Sequence, residues 1–188
     1  MTQTPTVTNS ESLHKGKWLE LKKLYFTDEK GHERSWESVE RLKCGGAVVM
    51  IAKLIPSGKI ILIRQFRPPM NSYLIEFPAG LVDDGENPVV SAERELLEET
   101  GYLGKVVKIF EPSCSSPGLT GETVRFCIME IDENLPENRT PAPAPEEGEH
   151  IETFLVHPDE LSGFLKSRIA AGDAIDSKLL SCSIAMRL

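Results

Sequence analysis

Four glutamates, Glu93, Glu95, Glu98 and Glu99, fall within seven consecutive positions, with one arginine, Arg94, among them. A run this acidic repels itself unless something positive neutralises it, and a divalent cation is the simplest neutraliser. The flanks define a helix. Asn87 then Pro88 read as an N-cap side chain followed by proline at the first helical position. Gly101 suits the left-handed stop just past the last turn. Between them Val89, Ala92 and Leu96 form an apolar stripe at helical spacing, so the helix has a face to bury. Glu95 and Glu99 are i,i+4 and share one side, with Cβ atoms about 5–6 Å apart. Glu98 lies next to that side. Carboxylates so spaced can share or flank a hard cation, and magnesium takes a few carboxylates plus waters and phosphate oxygens. A solvated acidic helix is the plainer reading for acids at random spacing. It does not account for this spacing together with Gly80 and Glu86 upstream.

The segment from Gly80 to Tyr102 resembles the Nudix box, G-x5-E-x7-R-E-U-x-E-E-x-G-U, where U is bulky and apolar. Gly80, Glu86, Arg94, Glu95, Glu98, Glu99 and Gly101 meet the fixed positions. Leu96 fills the first U position, and Tyr102 fills the second, where an aliphatic residue is more usual. A match of this length is specific, unlike a lone glycine motif. The resemblance implies an α/β/α sandwich with a mixed sheet, preceded by a small N-terminal β-hairpin region. It implies hydrolysis of a nucleoside diphosphate linked to another group, with magnesium or manganese. Carried over, Glu95 and Glu99 are metal ligands together with the backbone carbonyl of Ala79, and Glu98 assists them as a catalytic residue. Arg94 pairs with Glu86 and holds the box in shape.

Features outside the box narrow the substrate. Pro117 stands sixteen residues after Gly101, in Ser116-Pro117-Gly118. That spacing is similar to the marker of the ADP-ribose pyrophosphatase branch, although taken alone it reads as a loop turn. Gln65-Phe66-Arg67-Pro68-Pro69 and Ile75-Glu76-Phe77-Pro78-Ala79-Gly80-Leu81 also resemble this branch, more closely its animal-type ADP-sugar pyrophosphatases. Arg67 sits just before two prolines, a rigid place for a planar guanidinium fork suited to phosphate oxygens. By the same resemblance Leu81 touches substrate. Trp18 and Trp36, the two tryptophans of the chain, are eighteen residues apart. Core packing is the usual role of a strand tryptophan. The resemblance instead makes them a sandwich for adenine, one from each subunit of a homodimer, with Glu37 and Arg41 bonding the nucleotide. The long loop from Pro136 to His150 carries alternating Pro-Ala, which is stiff and extended. In the resembling enzymes a glutamate at the position of Glu149 closes over the metal site and acts in catalysis. Glu146 and Glu147 read as solvated acids of that loop.

Composition sets the outer limits. A chain of 188 residues is ample for one core and short for two domains. Its net charge of −8 argues against a nucleic-acid surface. No apolar run approaches the roughly 20 residues needed to span a bilayer. Residues 1–15 are polar, lack a signal peptide's apolar stretch, and read as a disordered leader. Residues 16–42 read as N-terminal strands for dimerisation and base binding, and 43–188 as the hydrolase domain. The four cysteines are scattered with no CxxC pair, which favours reduced thiols in the cytoplasm, the nucleus being the alternative compartment. The apolar runs 46–54 and 59–66, joined by Pro56-Ser57-Gly58, read as a β-hairpin from a buried sheet. Residues 158–170 read as a helix with Leu161, Phe164 and Leu165 inward. Residues 175–187 read as a last helix striped by Ile175, Leu179, Cys182 and Met186. The expected activity is hydrolysis of ADP-ribose and related ADP-sugars. The alternatives are a hydrolase for another nucleoside diphosphate derivative, such as an oxidised purine nucleotide, and a module that binds ADP-ribose without cutting it.

Overall fold

The computed structural model describes residues 3–145 and 148–186. In chain order the elements are β1 (Thr6–Lys15), β2 (Leu19–Thr27), β3 (Glu33–Arg41), β4 (Cys44–Ile55), β5 (Ile60–Arg67), β6 (Ser72–Glu76), β7 (Ala79–Asp83), α1 (Pro88–Thr100), β8 (Lys105–Ile109), β9 (Ser113–Cys114), β10 (Thr123–Asp132), α2 (Pro136–Arg139), β11 (Ile151–Val156), α3 (Leu161–Ala170), β12 (Ala174–Ile175) and α4 (Ser177–Ala185). Strands β1, β2 and β3 form an antiparallel sheet. A nine-stranded mixed sheet runs β12-β6-β5-β4-β10-β8, with β11 also on β5, β7 on β4 and β9 on β10. Within it β4 and β10 are parallel, as are β6 and β12.

Strand β4 is apolar on both faces, as a strand covered on both sides must be. Val48, Met50 and Ala52 pack with Ala92 and Leu96 of α1. Val49 belongs to a second core with Leu62, Ile75, Leu161, Leu165 and Leu179, which seats α3 and α4. These two cores make the expected α/β/α sandwich. Asn87 caps α1 by accepting from the Val89 N–H, and Gly101 ends it at φ 75°.

Three readings are corrected. First, most of the expected disordered leader is strand β1, which pairs along β2 from Thr6↔Thr27 to Lys15↔Glu20. Without it β2 would present an unpaired row of backbone groups. Its side chains are exposed throughout, so no polar–apolar alternation announces it. Met1 and Thr2 of that leader lie outside the described residues. Second, the hairpin of β4 and β5 pairs only at its turn end, Lys53↔Ile60. Beyond that point β7 takes β4, at Val49↔Ala79 and Ala47↔Leu81, while β11 takes β5 at Gln65↔Ile151. Each strand is apolar enough to be interior in its own half of the sheet, so the two diverge and leave a gap. Third, the last helix stops at Ala185 with Leu179 and Ser183 buried, and Met186 is exposed beyond it. Arg187 lies outside the described residues.

The C-terminal elements are held by an ionic knot. The buried Asp173 accepts from Arg64 Nε at 3.0 Å and from Arg168 Nε at 2.7 Å. Arg64 stacks 3.7 Å from the Tyr73 ring centroid. The Asp176 N–H then donates to the Ile75 carbonyl at 3.0 Å, which brings the start of α4 beside the end of β6. Asp173→Ala removes the shared acceptor and leaves two guanidinium groups facing one another. The expected loss is about 2 kcal/mol, below the ~3–5 kcal/mol of a fully buried pair because each arginine keeps part of its surface in water. Urea unfolding measures it, and an unchanged midpoint would contradict the knot's structural role.

Candidate active site

Helix α1 carries its acids on different sides. Glu93 turns away, accepting from Lys105 Nζ and the Val106 N–H at 3.2 Å each. Glu95 and Glu98, with Glu86 from the turn before the helix, converge on Arg94. Its Nη1 donates to Glu95 Oε1 at 2.9 Å and to Glu98 Oε2 at 3.0 Å, and its Nη2 to Glu86 Oε2 at 3.1 Å. The expected Arg94–Glu86 pair is therefore present and wider than expected. Glu86 also accepts from the Ser91 hydroxyl at 2.7 Å. Arg94 first, then Ser91, hold its carboxyl at about 2. Gly80 lies against this cluster. A Cβ there would stand 2.0 Å from Glu95 Cδ, so any larger residue displaces the Glu95 side chain.

Glu99 is the most enclosed of the acids, 5% exposed. It accepts from the Ala79 N–H at 3.1 Å. Burial pushes its carboxyl up to about 8, and repulsion from Glu95, Glu76 and Glu149 adds to the shift. Burial likewise raises Glu76, against the pull of Arg67, whose Nε lies 2.9 Å from Glu76 Oε1.

These groups line a cleft of about 750 Å³ whose floor is the gap between β4 and β5. Ala47 and Val49 line it from one side, Gln65 and Arg67 from the other. Ala79, Gly80, Leu81, Arg94, Glu95, Glu98 and Glu99 bring the box into it, and Glu149 and Pro145 bring the long loop. Trp18 and Arg41 reach it from the N-terminal strands. Arg41 Nε is held by Glu122 Oε2 at 2.9 Å.

Trp36, Glu37 and Pro117 do not line the cleft. Trp36 is 54% exposed, and its Nε1 donates to the Gly118 carbonyl at 3.1 Å. Glu37 is exposed, opposite Lys23 of β2. The Pro117 turn docks on β3, where the Leu119 carbonyl accepts from the Val39 N–H at 2.9 Å. Gly101 lies against the long loop, since a Cβ there would meet Ala142 N at 2.4 Å. The loop is not all coil: α2 interrupts it, and buried Asn138 bonds both the N–H and the carbonyl of Leu103. Glu146 and Glu147 lie outside the described residues.

The cleft contains residues the sequence reading passed over. Gln65 and Glu76 are polar residues inside apolar strands, a pattern that could have flagged them. Asp176 and Lys178, at the start of α4, carry no motif. Asp176 Oδ2 accepts from Lys178 Nζ at 2.8 Å.

The donor set suits a hard cation. Eight carboxylates face four cationic side chains across the cleft, and the buried Glu99 lies among several of the acids. Among the described residues no three acidic, histidine or cysteine side chains already converge as a metal cage. The bonds above give the reason. Arg94 draws Glu95 and Glu98 to itself, and Glu99 is turned to a backbone N–H. Oxygen-rich sites of this kind fit a hard divalent cation that keeps several of its waters.

The NUDIX domain profile matches residues 45–177. The ADP-sugar pyrophosphatase of Mus musculus is 34% identical over 189 residues, covering 96% of this chain and 87% of the mouse protein. The ADP-ribose pyrophosphatase of Saccharomyces cerevisiae is 40% identical over 157 residues, covering 77% of this chain and 68% of its own. A crystal structure of an ADP compounds hydrolase superposes with a TM-score of 0.64 at 20% identity, covering 88% of this chain and 85% of the other, a likeness of fold. Nudix hydrolases generally use divalent metal ions. The domain match takes in the box helix, both halves of the split sheet and the loop that carries Glu149, and on that ground the chain belongs to the Nudix hydrolase family.

Proposed function

We propose that the protein hydrolyses the diphosphate of ADP-ribose, releasing AMP and ribose 5-phosphate, and accepts related ADP-sugars. The observation that carries this reading is the cleft itself, in which box carboxylates, Arg67 and Trp18 share one cavity. The mouse and yeast relatives, named for ADP-sugar and ADP-ribose, support the substrate class. The box carboxylates are all retained, which favours cutting over binding alone.

In this reading Glu95, Glu99 and the Ala79 carbonyl would hold magnesium, or manganese in its place, with Glu98 beside them. Such an ion, when bound, neutralises phosphate charge and lowers the pKa of a water. Arg67 binds a phosphate oxygen, and Leu81 packs against the substrate. Glu149 takes the proton of the attacking water. The water oxygen bonds to one phosphorus, and the bridging oxygen leaves with its electron pair on the other phosphate. Among the described residues no helix is long and apolar enough to cross a membrane. We assign the protein to the cytoplasm on its unpaired thiols.

Base binding calls for a second copy of the chain. In the β2–β3 register Leu19 faces Arg41 and Leu24 faces Trp36. Five residues of strand separate these pairs, about 17 Å. Stacked rings lie within about 7 Å of each other, so Trp18 and Trp36 of one chain cannot enclose one adenine. Both are largely exposed, 66% and 54%, on a sheet that also exposes Leu19 and Leu21. We assign that sheet to a homodimer in which Trp18 stacks the base against Trp36 of the other copy, with Glu37 and Arg41 bonding the nucleotide.

Two experiments test these assignments. Glu99→Gln should lower turnover of ADP-ribose about 10³-fold, within the usual range for a lost catalytic group. Its melting temperature without metal should stay near the parent's, because a carboxyl raised to about 8 is already largely neutral at pH 7 and the amide oxygen can still accept from the Ala79 N–H. Near-normal turnover would defeat the ligand assignment. Trp18→Ala and Trp36→Ala should each lose about 1–3 kcal/mol of base stacking. Co-expressed, the two should recover about a quarter of parent activity, since a mixed dimer rebuilds one site with both tryptophans. No recovery in mixed dimers would contradict shared sites.

A further inference from the structure

Gln65 lies in β5 opposite Ile151, two residues past Glu149. It is 6% exposed and lines the cleft. Its Nε2 donates to Glu149 Oε1 at 3.1 Å. A carboxylate oxygen in this pair only accepts, so the atom facing it is the amide nitrogen and the other amide atom is the carbonyl oxygen. That oxygen, Oε1, is buried, and among the described residues it is the one buried side-chain polar atom without a hydrogen-bond partner. An orphaned buried acceptor is destabilising. A site retains such a cost where a ligand supplies the missing donor.

The chemistry of the cleft narrows the donor. With a divalent ion bound the neighbouring carboxylates would be ionised and would only accept. Arg67 is engaged by Glu76, Arg94 by Glu86, Glu95 and Glu98, and Lys178 by Asp176. A diphosphate offers oxygens alone. Water fits: it has two hydrogens, and both must be held if its lone pair is to face phosphorus. Gln65 Oε1 belongs to the same amide that touches Glu149, so the two acceptors lie within the span of one bridging water.

We propose that Gln65 is a positioning residue for the hydrolysis: its Nε2 fixes the Glu149 carboxylate, and its Oε1 is the second acceptor that orients the attacking water. One water hydrogen points to Gln65 and the other to Glu149. As the water oxygen bonds to phosphorus, the proton on the Glu149 side passes to that carboxylate, the electron pair of the breaking bond goes to the bridging oxygen, and Gln65 is unchanged. This inference rests on the role of Glu149 proposed above.

The test uses Gln65→Met, close in length but without the amide, and Gln65→Glu, which keeps an acceptor but loses the donor to Glu149. With ADP-ribose and magnesium, kcat should fall about 100-fold in each, in the range for a group acting on a proton transfer. KM should stay within about threefold, because Gln65 acts on the water and not on the substrate. The melting temperature of Gln65→Met should be no lower than the parent's, since an orphaned acceptor is removed. In a Glu149→Gln background, Gln65→Met should cost less than about threefold more, as for residues that act as a unit. Turnover within threefold of the parent in both single variants, or the full 100-fold loss repeated in the Glu149→Gln background, overturns the inference. Normal turnover of Glu149→Gln alone refutes the role of Glu149. An inactive Glu149→Gln beside a fully active Gln65→Met refutes Gln65 alone.

Discussion

One guanidinium holds the centre of this site together. Arg94 donates to Glu86 in the turn before α1 and to Glu95 and Glu98 on the helix itself. Removed, it would leave the Glu86, Glu95 and Glu98 carboxylates close together with nothing positive between them. Its reach across the turn is what fixes the turn to the helix. Glu95 lies so close to Gly80 that a Cβ there would push its carboxylate out of this position. The opposite face of α1 is anchored by Ala92 and Leu96 in the core, so the acids cannot escape repulsion by rolling the helix. Packing on one face sustains charge on the other.

The far end of the same helix organises the long loop. Gly101 accepts the close passage of Ala142, and the Ala144 N–H donates to the Glu98 carbonyl at 2.8 Å. Asn138 ties the loop's short helix to Leu103. Pro145 then reaches the cleft, and Glu149 arrives beside Gln65 just before β11 joins β5. The box and the loop are therefore one mechanical unit, with the loop strapped to the helix that bears the acids. Stiff Pro-Ala sequence suits a strap of fixed length.

What could be read from the sequence was what depends on near neighbours. The cap at Asn87, the stop at Gly101 and the i,i+4 acids are encoded within a few residues, and each stands where its spacing places it. The splaying of β4 from β5 was not legible, because a short turn between apolar runs looks the same whether the strands stay paired or part. Strand β1 was hidden because its partner, not its own pattern, makes it a strand. Trp36 and Trp18 stand out by type, yet their separation is set by strand register. Asp173 gave no local sign, since its partners Arg64 and Arg168 are brought to it by the fold. Gln65 stands two residues before Arg67, and only its burial reveals an unmatched oxygen.

The charge pattern of the cleft links the arrival of substrate to that of the ion. Its cations are already engaged: Arg41 by Glu122, Arg67 by Glu76, Lys178 by Asp176 and Arg94 by three acids. A diphosphate brought to this surface alone would meet more carboxylates than cations, and could gain a cation only by breaking a pair. A cation brought alone would meet carboxylates that Arg94 and the Ala79 N–H already hold. Brought together, each would offset the cost of the other, because a bound divalent ion would neutralise the phosphate charge. The acidity that repels the substrate by itself is what makes the site selective for the pair.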